Sequence, residues 1–345
     1  MKVHLLAPGR VVSHLGYRAE TSYLEMMSLA DHCREHQLVE EPSNADVVLA
    51  PICGDSYGLF FEKLKGGPVY KANRSRLFAY TIDDFQFPAL PGIYPAVSPF
   101  WASRSWAVGG HYVTNYHTRH QFENLPAEKR DVLFSFVGSS WTHPIREKVM
   151  RLKHPRAVLD DSERKGEPVH WWLRGKEHFA GRVALFEQVM SRSKFVLCPR
   201  GYAAASMRMF QAMQAGAVPV ILADSLVLPI GPDWARFVVR IPERDLAEVP
   251  RVLEQLEPNF PAMSLEANRA WANWFSPERT LASMINWCEH LLKTTSAAER
   301  RRLERMACLH SWLAPTNVRM RLRRLKRCAV AACRAIQRKA TGGRG

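Results

Sequence analysis

Arg200, Gly201, Ser206, Arg208 and Asp224 lie in one short stretch of this sequence and have the types and spacing to hold a phosphorylated ligand. Two guanidinium forks and a hydroxyl at a helix start suit a diphosphate, because forked N–H donors and free helix N–H groups both favour anions. The alternatives are structural: an ion pair for either arginine, a helix cap for Ser206, an unusual backbone turn for Gly201.

The elements that must position these residues can be read around them. Phe195–Cys198 is a short apolar run of the kind that forms a buried parallel strand, and Pro199-Arg200-Gly201 stops it. Residues 203–213 are rich in Ala and Met with one polar face, which predicts a helix, and Gly216 ends it as a C′ residue. Val218–Leu222 is a second strand, with Asp224 at its carboxyl end, the edge where open α/β sheets bind ligands.

This segment resembles the carboxyl-terminal signature of the exostosin family, glycosyltransferase family 47. The matching residues are Ser193-Lys194-Phe195, Leu197-Cys198-Pro199-Arg200-Gly201, Ser206 and Arg208, Ala212, Gly216, Val218-Pro219-Val220-Ile221 and Leu228-Pro229. The resemblance spans residues 40–290 or so and is strongest in this core. It weakens through residues 237–256, 44–51 (NADVVLAP) and 134–146 (FSFVGSSWTHPIR). It implies a GT-B architecture, with an acceptor-side amino-terminal lobe and a nucleotide-sugar-binding carboxyl-terminal lobe. Where the family carries an acidic residue for the donor ribose, this chain has Gln211, which keeps hydrogen-bonding capacity and loses the charge. Arg146 is similar to a recurrent family arginine, and the small residues Gly138-Ser139-Ser140 would let the chain approach the donor.

The 345 residues suffice for two ordinary domains, and 47% hydrophobic content excludes global disorder. Seven cysteines without a C-x-x-C pair favour free thiols in a reducing compartment. The start MKVHLLAPGRVVSH has no sustained apolar run and does not read as a signal peptide, and no run of apolar residues is long enough to span a membrane. The expectation is a soluble, bacterial-type, cytoplasmic protein. Of the net charge of +15, ten basic residues and no acidic one fall between Arg319 and Gly345. Leu322, Leu325, Ala329, Ala332 and Ile336 recur there at helical spacing. Three readings stay open for residues 319–339: a peripheral anchor on an anionic membrane, a solvated basic end, or nucleic-acid contact. The last lacks interleaved aromatics, and no nucleic-acid partner is expected.

Strands predicted at residues 3–8, 45–50, 76–81 and 132–137 alternate with helical stretches at 22–36 and 265–292, the latter broken near Pro277. That alternation predicts parallel doubly wound sheets. Residues 85–107 read as a long functional loop and 115–130 as an interdomain passage. The class is therefore α/β, GT-B-like, with two Rossmann-like βα domains facing a cleft and carboxyl-terminal helices. The boundaries are 1–125 for the acceptor side, 126–292 for the donor side and 293–345 for a basic helical tail.

Glycosyl transfer must stabilise a departing nucleoside diphosphate and deprotonate an acceptor hydroxyl. The chain has no D-x-D triplet, and the adjacent pairs Asp83-Asp84 and Asp160-Asp161 point to opposite sides of an extended segment. The reading is a metal-independent, inverting mechanism with no cofactor, in which Arg200 and Arg208 stabilise the diphosphate and Gly201, Ser206, Gln211, Asp224, Ser139 and Arg146 complete the donor site. Asp83 and Asp84 lead as base candidates, ahead of Asp55, His111, His117 and His143. Trp101, Trp106 and His170-Trp171-Trp172 could stack on sugar rings, with core packing the stronger alternative. A catalytically silent partner of a glycan-biosynthesis complex is the alternative function, favoured by Gln211, and a membrane-surface scaffold is a third.

Overall fold

Two separate parallel sheets organise the chain in the computed structural model, which describes residues 1–7, 17–52, 64–81, 84, 88–113, 120–162 and 176–313. The first lobe runs β1 (Lys2–Leu5), α1 (Tyr17–His32), β2 (Gln37–Leu38), β3 (Val47–Ile52), α2 (Pro68–Asn73), β4 (Leu77–Thr81), β5 (Gly92–Ile93), α3 (Pro99–Ala102) and β6 (Ala107–Val108). Its strand order is β2-β1-β3-β4-β5-β6. The second lobe runs β7 (Val132–Gly138), α4 (Pro144–Val149), β8 (Ala157–Asp161), α5 (Lys176–Arg192), β9 (Ser193–Pro199), α6 (Arg208–Gln214), β10 (Val218–Leu222), β11 (Val239–Arg240) and α7 (Val249–Leu256). Its order is β11-β10-β9-β7-β8. Three long helices close the chain: α8 (Phe260–Trp274), α9 (Pro277–Thr294) and α10 (Ala297–Leu313). This is the expected GT-B-like arrangement with carboxyl-terminal helices.

Burial on both faces explains the unbroken apolar strands. Val47 and Leu49 face a core shared with α1 and α9, while Val48 and Ala50 face a second core with Trp101, Leu303 and Ala307. In the second lobe Phe134, Phe136 and Leu197 pack under α4 and α7, and Val196 and Cys198 turn the other way toward α6. The core containing α9 joins the lobes, running from Val3 and Leu5 to Met209 and Ala212.

The structure redraws several local expectations. The helix predicted from Ala203 begins at Arg208, because the Gly201 N–H closes on the Ala203 carbonyl at 3.0 Å and Ala203–Ala205 are buried in a loop. The helix ends as predicted. Gly216 has φ +67°, its N–H bonds Met213 O at 3.1 Å and the Ala217 N–H bonds Ala212 O at 2.8 Å, the paired closure of a Schellman motif. The stretch read as a long loop contains β5, α3 and β6 in its described part, and Trp101 and Trp106 are buried in the first lobe's core. A β-carbon on Gly92 would lie 2.0 Å from Ala79 O, so only glycine lets β5 pair there. Of the segment read as a basic tail, residues 297–313 are α10, packed on the first lobe. Arg300 donates to Leu77 O at 3.0 Å over the Phe78 ring, and the buried Glu304 holds Tyr70 and Arg74. Residues 319–339, Asp55, Asp83, His117 and His170-Trp171-Trp172 lie outside the described residues. Cys33, Cys198, Cys288 and Cys308 are free thiols, and no described helix is long and apolar enough to cross a membrane.

Candidate functional site

Strand order in the second lobe reverses between β7 and β9, so the crevice beyond their carboxyl ends is the place where this topology opens a ligand site. Gly138 and Ser139 leave β7 there, and Arg200 and Gly201 leave β9. Arg146, on α4, ties the two ends together. Its Nε donates to Arg200 O at 2.9 Å, one Nη to Ser139 O at 3.2 Å and the other to Pro199 O at 3.2 Å. Gly201 packs against this guanidinium, since a β-carbon would stand 3.1 Å from it. The Gly201 role is close approach, and it has no positive φ. Burial lowers the Arg146 pKa to about 10, opposed by the charge of Asp84.

Arg208 has no ion-pair partner among the described residues. Its guanidinium carbon sits 4.9 Å from the Phe136 ring centroid and 5.5 Å from that of Phe186. Glycine at 138 makes the room: a β-carbon there would be 2.7 Å from an Arg208 Nη. The Arg208 Nε is buried with no hydrogen-bond partner. Burial, then repulsion from Arg146, lowers its pKa to about 9. An uncompensated buried cation is costly, and a neighbouring arginine raises that cost. Arg200 repeats the pattern: its Nε is also buried and unpartnered, and its nearest carboxylate oxygen, on Glu243, is 3.9 Å from Nη1. Thr142 Oγ1, beside Gly201, is a third buried orphan. Together they form a cationic edge with three buried polar atoms that have no hydrogen-bond partner.

The remaining expectations divide. Ser206 is buried at the loop before α6, where its carbonyl accepts from the Met209 N–H at 3.2 Å. Asp224 is exposed and structural in its contacts: its carboxylate accepts from the Glu243 N–H at 3.0 Å, and its own N–H bonds Glu243 at 3.2 Å. Asp160 pairs with Arg182, whereas Asp161 accepts from the Ser140 N–H at 3.0 Å and hydroxyl at 2.6 Å, as their opposite directions in β8 require. Asp84 is exposed at the edge of the first lobe and accepts from Tyr112 Oη at 3.3 Å. Burial, then Asp84, holds that phenol well above its ordinary range. His143 caps α4, its Nδ1 accepting from the Ile145 N–H at 3.3 Å, which commits the lone pair a base would need. Burial and then Arg200 lower its pKa. Among the described residues, no cluster of three or more His, Cys, Asp and Glu is placed to hold a metal ion.

Gln211 lines a different space. A cleft lies between the lobes, walled by α1, the segment after β6, α6, α8 and α9, with His111, Tyr112, Phe210 and Phe275 around it. His111, a base candidate by its type, is buried there, and burial lowers its pKa to about 3.

Sequence reasoning found the arginines and missed what positions them. The cation shelf of Phe136 and Phe186 has no spacing signature. Thr142, between Trp141 and His143, carries no motif of its own, and Trp141, edge-on 5.8 Å from the exposed Tyr202, was not singled out.

Residues 96–256 match the model of the exostosin GT47 domain. The chain is 33% identical over 160 residues to mouse exostosin-2, covering 44% of this chain and 21% of that protein. It is 30% identical over 137 residues to a probable glucuronoxylan glucuronosyltransferase of Arabidopsis thaliana, covering 39% and 29%. It is 30% identical over 149 residues to exostosin-1 of Drosophila melanogaster, covering 39% and 19%. The chain thus spans less than a third of the length of these relatives.

Proposed function

We propose, from the match of residues 96–256 to the exostosin GT47 domain, that the chain is a glycosyltransferase that moves a sugar from a nucleotide-sugar to a glycan acceptor. The observation that carries this reading is the set of orphaned buried donors, Arg208 Nε, Arg200 Nε and Thr142 Oγ1, at the carboxyl edge of β7 and β9. A nucleoside diphosphate supplies the anion they lack.

The reaction inverts the anomeric carbon. The acceptor oxygen attacks C1, its proton passes to a carboxylate of the first lobe, and the bond from C1 to the β-phosphate oxygen breaks. Asp84 is the described base candidate, with Asp83 beside it in sequence. Charge developing on the leaving diphosphate falls on Arg208 and Arg200, while Arg146 holds the two strand ends in register. These fixed cations take the place of a metal ion. Losing one preorganised charge stabiliser typically costs about 10²–10³ in kcat. Relatives named for glucuronosyl transfer make a nucleotide-linked glucuronic acid the first donor to try.

The test is release of nucleoside diphosphate from a panel of nucleotide-sugars, with EDTA present and a glycan acceptor mixture added. Metal-free turnover that falls at least about 100-fold in Arg208→Ala supports the reading. The second reading, a silent sugar-nucleotide-binding partner, is favoured by Gln211 standing where the family has a carboxylate. Tight donor binding with no turnover of any donor would establish it.

A further inference from the structure

The passage into the second lobe is fastened to α5 by polar contacts, and one of them involves an imidazole close to Arg208. Glu187 on α5 accepts from the Gln121 N–H at 2.9 Å and lies 3.1 Å from His120 Nδ1. A carboxylate only accepts, so Nδ1 carries the proton of that contact. One turn further along α5, Ser191 Oγ accepts from the Glu123 N–H at 3.0 Å. The His120 side chain is 8% exposed and that of Glu187 22%.

His120 also belongs to the aromatic packing around Arg208. Its ring lies 4.9 Å from Phe186 and is stacked on Phe122 at 5.6 Å. Phe186 is one of the two rings that carry the Arg208 guanidinium, at 5.5 Å. Both distances are measured to the same ring, so imidazole and guanidinium lie no more than about 10 Å apart, about one Debye length. Burial lowers the His120 pKa, Glu187 raises it, and the charge of Arg208 lowers it. The two groups therefore sense each other. An anion on Arg208 removes the repulsion and favours protonated His120, and by reciprocity protonated His120 favours the anion. Glu187 stands ready to offset the second positive charge.

We propose that His120, held by Glu187, is a positioning residue of the anion site: its ring seats Phe186 against Arg208, and its imidazolium adds positive charge beside that guanidinium when a diphosphate binds. The inference rests on the anion-site reading above. Binding then takes up a proton, and affinity rises as pH falls through the His120 titration.

Calorimetric titration of the wild-type chain with UDP-glucose and GDP-mannose, from about pH 8 to about pH 5, tests it. The diphosphate of these ligands is esterified at both ends and keeps its charge over that range, so the ligand does not titrate. His143, lowered by burial and then by Arg200, is the other imidazole coupled to the site, and it is retained in every variant. The expected result is an affinity that rises at least about fivefold toward low pH, with proton uptake read from the buffer dependence of the heat. His120→Phe, which keeps a ring against Phe186, should match the wild type near the alkaline end and lose the rise. Glu187→Gln, which keeps an acceptor for both N–H groups, should move the rise to lower pH. An equal loss of affinity at every pH in His120→Phe would reduce His120 to packing, and an undiminished rise would place the proton elsewhere. Either would overturn the proposal and leave the anion site standing. If neither nucleotide-sugar binds at any pH, the anion-site reading falls and this one with it.

Discussion

Gly138→Ala probes the cationic edge without touching a charge. The new β-carbon would stand 2.7 Å from an Arg208 Nη and 3.0 Å from its guanidinium carbon, where ordinary contact begins at 3.4 Å. The guanidinium must retreat by about 0.7 Å, the difference between those limits. No carboxylate among the described residues anchors it; the Phe136 and Phe186 faces do, so it can slide. The stability loss should therefore sit at or below the usual ~1–3 kcal/mol of overpacking. A charge-assisted hydrogen bond to phosphate is worth about 1.5–3 kcal/mol, so donor affinity should fall roughly 10- to 100-fold. Titration calorimetry with a nucleoside diphosphate reads the affinity, and urea melts read the stability. A double-mutant cycle completes the test: in an Arg208→Ala background, Gly138→Ala should change affinity by no more than the ~0.3–0.5 kcal/mol of independent sites. Undiminished affinity in Gly138→Ala, or an equal loss in both backgrounds, would refute the claim that Gly138 acts by placing Arg208.

Three further outcomes are expected. Arg130 is a purely structural arginine, 2% exposed and donating to the carbonyls of Leu125, Ser193 and Ala215, so Arg130→Met should destabilise by about 3 kcal/mol or more in denaturant melts. Hydrogen bonds from Arg156 and then Lys194 lower the Glu257 pKa to about 2 from 4.5. Its folded pKa is thus depressed, so its stabilisation is complete above pH 4.5 and fades as pH falls toward 2; the stability gap between wild type and Glu257→Gln, followed by melts across pH, should close over that window and stay open above it. Removing residues 319–345 should abolish sedimentation with anionic vesicles while Arg208→Ala leaves it intact; equal sedimentation with and without those residues would reject the anchor.

The strands and the cationic edge were legible in the sequence because both rest on local pattern. Apolar runs at 45–50, 132–137 and 218–222 read as parallel strands since both faces are buried, and Gly216 read as a C′ residue since αL is needed there. What was not legible depends on residues far apart in the chain. Nothing local distinguishes Arg146, spent on three carbonyls, from Arg208, left without an anion. Asp224 read as a ligand contact because it follows a strand, yet a reciprocal pair with Glu243 occupies it. The Arg300-Arg301-Arg302 run falls in the segment read as a basic helical tail, while Arg300 lies over Phe78 and bonds a first-lobe strand. Gln211 announced itself only as a departure from the family pattern; its place on the cleft beside His111 is a tertiary fact.

The most direct measurement is titration of the wild-type chain and Arg208→Ala with UDP and GDP in the presence of EDTA. The account predicts metal-free binding of one of them by the wild type, weakened about 10- to 100-fold in the variant, which would otherwise melt normally. Wild-type binding that requires a divalent cation, or binding that survives in Arg208→Ala undiminished, would contradict it.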